Sequence, residues 1–231
     1  MYKNNKSYTI KVDLPAKPLR LDIDPEFDVF RRLARKELPP ALTQVFGAEK
    51  VLIILPSEEK PLIDSYITLA TSLARSYSKG VNIKMDNEIQ NLPTDKAVWI
   101  LGWENRFLNK FSSTLEVYKS KISNTKVVVG NKQIVRKNHS LALTTRHPDN
   151  PKLGWAWAGI GNPKAFSGFA RKLPHYHKYS YLAFEGDEPK NIVKAKWPVL
   201  NSPMTVFLSK EKNFKGVGKL VPRISLAHVT P

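Results

Sequence analysis

Two stretches, Val51-Leu52-Ile53-Ile54-Leu55 and Ala97-Val98-Trp99-Ile100-Leu101, are apolar at every position. A strand with one wet face alternates apolar and polar residues, so a strand apolar throughout needs a covering layer on both faces. Between the two runs, Leu62, Ile63, Tyr66, Leu69, Ala70 and Leu73 recur at helical spacing, and Val81-Asn82-Ile83-Lys84-Met85 reads as a further strand. Trp103 to Leu115 follows as a helix. Strand, helix, strand, strand, helix predicts an α/β fold: a mostly parallel, helix-covered sheet with an antiparallel hairpin, preceded by a short β segment.

The hairpin is Val127 to Val135, turning at Gly130-Asn131, a pair suited to the right-handed twist of the flanking strands. Further strands are predicted at Ser140 to Thr145, Trp155 to Ile160, Tyr179 to Phe184, Ile192 to Val199 and Met204 to Leu208. Gly161-Asn162-Pro163 opens a helix running to about Leu173. The last dozen residues read as a loosely held tail.

At the other end, Tyr8 to Leu14 and Leu19 to Asp24 alternate apolar and polar residues, the period of half-buried strands. Two strands are not stable alone, so this β segment reads as the end of a preceding β-sandwich in preference to an added edge. Asp24-Pro25-Glu26 has the N-cap and first-turn proline of a helix, with Phe27, Phe30 and Leu33 as its stripe and Pro39-Pro40 as its stop. Ala41 to Phe46 adds a helical turn or two, ended by Gly47. The organisation predicted is a β segment over 1–24, a helical linker over 25–48 and an α/β domain over 49–231.

Lysine and arginine outnumber acidic residues 37 to 20, a net charge of +17. Such an excess attracts polyanions, whether nucleic acid or an anionic envelope polymer. The cations are scattered, without an Arg-rich helix or a long basic run, so a solvated lysine surface is the preferred explanation over a dedicated polyanion site. No apolar stretch is long enough for a membrane helix, and residues 1–6 lack the apolar core of a signal peptide, so an export signal would lie upstream. The chain has no cysteine, which excludes disulfides and thiolate metal sites.

The motifs of zinc peptidases, serine hydrolases, phosphate loops and dinucleotide folds are all missing from the sequence. The run at Leu55 leads into Pro56-Ser57-Glu58-Glu59, with no glycine to let backbone approach a phosphate. No cofactor and no metal is therefore expected. His175-x-His177 would present two imidazoles on one face of a strand, but Lys172 and Lys178 bracket the pair and repel a cation. Asp22, Asp24, Glu26 and Asp28 suit calcium by spacing, yet lack the glycine turn of a calcium loop and sit where helix capping employs acids.

The candidate ligand-binding residues fall in three strings. Trp103, Glu104, Asn105 and Arg106 follow a buried strand at its C-terminal end, where open α/β sheets place ligand crevices. Together they could hold a sugar or a peptide, although packing of the core and capping of a helix is the preferred reading. Arg146 and His147 open a polar turn, Arg146-His147-Pro148-Asp149-Asn150-Pro151. Lys172, His175 and Tyr176 belong to a segment, 171 to 181, that interleaves cations and aromatics as a single-stranded nucleic-acid site does. No catalytic residue is nominated.

Asp24-Pro25-Glu26-Phe27-Asp28-Val29-Phe30-Arg31-Arg32-Leu33, continuing to Pro39-Pro40-Ala41-Leu42, resembles the region that follows the catalytic and β-sandwich parts of bacterial proteins related to M1-family aminopeptidases. Leu101-Gly102-Trp103-Glu104-Asn105-Arg106-Phe107, Arg146 to Pro151 and Lys172-Leu173-Pro174-His175-Tyr176 resemble the same C-terminal extension. The resemblance implies that the zinc-binding His-Glu-x-x-His lies upstream, since none of its ligands maps onto a residue here. It implies a non-catalytic accessory module of an envelope-associated, periplasmic protein, whose partner is the upstream catalytic and β-sandwich region. The alternatives are a polyanion-binding domain and a small-molecule or glycan-binding α/β domain using Glu104, Asn105, Arg106 and Arg146.

Overall fold

The computed structural model describes residues 9, 11–58, 62–78, 80–200 and 202–208. The chain divides into two units, residues 35–200 and residues 1–34 with 201–231.

The larger unit is built on a seven-stranded mixed sheet. In chain order its strands are β2 (Val51–Leu55), β3 (Val81–Met85), β4 (Ala97–Leu101), β8 (His139–Arg146), β9 (Gly154–Ile160), β10 (Tyr181–Glu185) and β11 (Lys190–Ala195). The order across the sheet is β11-β10-β8-β9-β4-β2-β3. From β3 through β2 and β4 to β9 the pairings are parallel. From β9 through β8 and β10 to β11 they are antiparallel.

The predicted mostly parallel, helix-covered sheet is therefore wrong. Strands make up 29% of the structure against 24% helix, half the large sheet is antiparallel, and there are four α-helices among the described residues. The physical reason lies in the connections. Parallel neighbours need a crossover of roughly a dozen residues or more. Residues 147–153 between β8 and β9, and 186–189 between β10 and β11, are too short for one. The apolar runs reported burial on two faces correctly, but burial carries no information about strand direction.

The helices are α1 (Thr43–Phe46), α2 (Ile63–Ala74), α3 (Leu108–Thr114) and α4 (Phe166–Lys172). One core packs α1, α2 and α4 against Ile53, Trp99, Ala156, Ala158 and Ile160. The other gathers Ile54, Ile100, Trp155 and Trp157 under α3, Trp197 and a three-stranded antiparallel sheet. That small sheet is β5 (Lys121–Ile122), β6 (Lys126–Val129) and β7 (Lys132–Val135). The hairpin read from the sequence forms as β6 and β7, but outside the large sheet. Gly130 takes the positive φ of 58° at its turn, where glycine meets no steric penalty.

Strand β9 shows how the two cores differ. Its residues are buried throughout, and side chains alternate across the sheet. Trp155 and Trp157 project to one side, Ala156 and Ala158 to the other. Trp157 donates its indole N–H to the Gly102 carbonyl at 2.8 Å and meets Trp103 edge to face at 4.9 Å. A Cβ built on Gly159 would lie 2.1 Å from the Trp157 ring and 2.9 Å from Trp103.

In the smaller unit, β1 (Arg20–Asp22) pairs antiparallel with β12 (Thr205–Phe207). Residues 11–14, read as part of a strand, form none, and Tyr8 and Ile10 of that stretch lie outside the described residues, as does the predicted tail. The helix predicted from Asp24 is also absent. Asp24 and Phe27 both adopt left-handed φ, 52° and 60°, which an α-helix does not accommodate. Asp24 still caps: its carboxylate accepts from the Asp28 and Val29 backbone N–H at 2.7 and 3.1 Å and from Arg31 Nε at 2.9 Å. These bonds close a loop in place of a helical turn. Ala41 to Phe46 does contain the short helix α1, followed by Gly47.

Gly159→Ala is expected to lower unfolding stability by about 1–3 kcal/mol, the usual effect of overpacking a close-packed core. Urea unfolding of the purified chain measures it, as a lower midpoint with unchanged slope.

Candidate functional site

The C-terminal ends of the parallel strands are where an open α/β sheet offers a crevice. Here the ends are tied together by two buried polar side chains. Asp86 follows directly on β3 and is fully buried. One of its carboxylate oxygens accepts from Ser57 N–H at 3.0 Å, the other from Arg106 N–H at 2.8 Å. It thus joins the chain leaving β2 to the chain leaving β4. Asn105 donates its amide to the carbonyls of Ile54 and Leu101, at 3.1 and 3.0 Å, and accepts from Phe107 N–H at 3.1 Å. Gly102 makes the preceding turn possible with a φ of 92°.

Beside them, Glu104 pairs with Arg136 at 2.6 Å, and the Arg136 guanidinium lies 5.2 Å from the Trp103 ring centroid. The four candidates Trp103, Glu104, Asn105 and Arg106 are therefore brought together with Asp86 and Arg136, and each makes bonds or ring contacts within the chain. Sequence reasoning missed Asp86. Its only signal was a carboxylate immediately after a strand.

Arg146 and His147 are at the opposite end of the strands. Arg146 pairs with Gly154, the first residue of β9, whereas Leu101 pairs with Ala158. Arg146 donates to the carbonyls of Arg35 and Leu38 at 2.8 and 2.6 Å and to that of Pro151 at 3.2 Å. It thereby holds the segment entering the unit against the 147–153 turn. Burial pulls the Arg146 guanidinium below its ordinary range, while the nearby Tyr118 acts in the opposite sense.

His147 is fully buried. Its Nδ1 accepts from Asp149 N–H at 3.2 Å, which places the ring proton on Nε2. Burial first, and then Lys110, push its pKa below the ordinary imidazole value, against the pull of Asp149.

The third group is separate again. Lys172 donates to the Pro189 carbonyl at 2.5 Å, and Tyr176 meets Phe184 edge to face at 5.2 Å. His175 is exposed. Residues 173–176 form a 3-10 turn, so His175 and His177 do not share a strand face as the sequence reading required. His177 instead lies 3.2 Å from the Thr43 hydroxyl and accepts two bonds from Thr43 at its carbonyl. No cluster of three or more potential metal ligands occurs among the described residues. Glu104, Asn105 and Arg106 are not brought together with Arg146, the combination a shared small-molecule site would need. No helix among the described residues is long and apolar enough to cross a membrane.

No family model and no curated protein sequence matches the chain.

Two outcomes follow from this geometry. Asp86→Ala leaves the Ser57 and Arg106 N–H groups, both in part-buried bonds, without their acceptor, so a loss of about 1–3 kcal/mol is expected in denaturant unfolding. His147 also makes stability depend on pH. Its folded pKa lies below its unfolded one, so the unfolded chain takes up the proton first as pH falls. The contribution is constant above about pH 6.5 and is lost on acidification below it, with a slope of at most ~1.4 kcal/mol per pH unit. Subtracting the stability profile of His147→Gln from that of the unaltered chain over this window should isolate the slope.

Proposed function

We propose that this chain is a non-catalytic interaction module of a larger, envelope-associated, M1-peptidase-like protein, docked on the β-sandwich region that precedes it. The observation carrying the reading is the apolar face of the smaller unit. Leu21 lies opposite Val206 in the β1–β12 pair. Backbone bonds from Ile23 N–H to Met204 and from Leu208 N–H to Leu19 continue the pairing on either side. Residues two apart share a face, so Leu19, Leu21, Ile23, Met204, Val206 and Leu208 form one side of the ribbon. Arg20, Asp22, Thr205 and Phe207 form the other.

Leu19, Leu21, Ile23, Val206 and Leu208 are between 40% and 54% exposed. A contiguous apolar sheet face on one side and a mainly polar one on the other is the pattern of one layer of a sandwich. Two short strands do not stabilise such a face by themselves. The closed network at the strand ends supports the same reading. Asp86 and Asn105 are engaged in holding three strand ends together, and Glu104 is paired with Arg136.

Immunoprecipitation from source cells with an antibody against residues 35–200, followed by intact-mass measurement, tests the proposal. The expected product is far heavier than the 26.2 kDa of this chain, with aminopeptidase activity that the isolated chain lacks. A native product of 26.2 kDa, or peptidase activity in the isolated chain, would overturn it.

A further inference from the structure

We propose that the groove between α2 and α4 is a binding site for a non-aromatic polyanion, a chain bearing successive phosphate groups. The groove has a volume of about 710 Å³. Arg75, Lys164 and Arg171 line it, together with the hydroxyls of Thr71, Ser72 and Ser167, and among the described residues no carboxylate does. Strands β2 and β9, which lead into the two helices, both run parallel to β4, so α2 and α4 leave the same edge of the sheet in the same direction. The rings of Tyr66 and Phe166, 4.8 Å apart, put their N-terminal ends side by side. Lys164 therefore marks one end of the groove, and Arg75 and Arg171 the other. The lining of α2 runs from Ser65 to Arg75, and at 1.5 Å per residue that is ~15 Å. Cations at both ends of such a length suit a linear chain of charges better than one compact anion.

The chemistry of the lining selects among polyanions. Single-stranded nucleic acid is held by aromatic platforms on which bases stack. The one aromatic side chain lining this groove among the described residues, Phe166, is only 7% exposed and engaged with Tyr66. Tyr176, from the segment whose sequence suggested stacking, packs on Phe184. Hydroxyls and guanidinium groups donate hydrogen bonds to phosphate oxygens without needing a base. Lys164 has an exposed partner in Asp187 at 3.3 Å and Arg171 one in Glu188 at 3.9 Å. Surface pairs of this kind are weak and screened, so a denser anion displaces them. Among the described residues Arg75 has no ion-pair partner.

The experiment compares the full chain with two triple variants of equal charge, binding labelled inorganic polyphosphate and a single-stranded oligonucleotide of matched charge across a salt series. Arg75→Gln/Lys164→Gln/Arg171→Gln should weaken polyphosphate binding at least tenfold. It should also flatten the plot of log affinity against log salt by about 2, at ~0.7–0.9 for each phosphate no longer neutralised. Lys84→Gln/Lys121→Gln/Lys132→Gln, at exposed positions on other elements, should change affinity less than twofold. Glu188→Gln, which frees Arg171, should tighten binding, a gain that misfolding cannot produce. Equal weakening by both triples, no gain from Glu188→Gln, or tighter binding of the oligonucleotide than of polyphosphate would overturn the proposal.

Discussion

Strand β9 carries tryptophan on one face and alanine on the other, and that difference in bulk decides what can lie on each side of the large sheet. Over Ala156 and Ala158 the surface is shallow, so α2 and α4 approach closely and pack against each other. Over Trp155 and Trp157 the sheet already carries its own thick layer. What covers that side is a short helix, a small antiparallel sheet and the Trp197 ring, fitted around the indoles. Gly159 is part of the same arrangement, since any side chain there would occupy the space of Trp157 and Trp103. Close packing of large rings makes such a core sensitive to single added carbons.

The ends of β2, β3 and β4 depend on a second device. Backbone groups leaving a buried sheet need partners, and unmet ones are expensive. Asp86 and Asn105 provide them across three strands. Residue types that serve a ligand in one protein serve the backbone in this one. A carboxylate, an amide and a guanidinium near a strand end have the same composition whether they face a substrate or one another.

Two open surfaces among the described residues are of opposite character. The ribbon of β1 and β12 offers an uncharged apolar face, suited to burial against another sheet. The α2/α4 groove offers hydroxyls and cations, suited to an anion exchanged with solvent and salt. A module fixed to a larger protein by the first could present the second, and the net charge of +17 would draw anions toward it at long range.

Read alone, the sequence placed most strands and helices of the larger unit, the burial of Val51–Leu55 and Ala97–Leu101 on both faces, and the turn of the hairpin. Those properties are written locally, in the period of apolar residues and the backbone freedom of glycine. The helix at Leu108 it began five residues early, at Trp103, and it missed the short strand β5. It misjudged the segment after Asp24, where a side chain that caps a helix closes a loop instead. Strand direction, the transfer of the hairpin to a separate sheet, and the bonds made by Asp86, Asn105 and Arg146 were decided by the tertiary structure. Each joins residues far apart in the chain: Arg146 with Arg35, Asp86 with Ser57 and Arg106. Local periodicity records how a residue faces the core, but not which distant backbone it meets there.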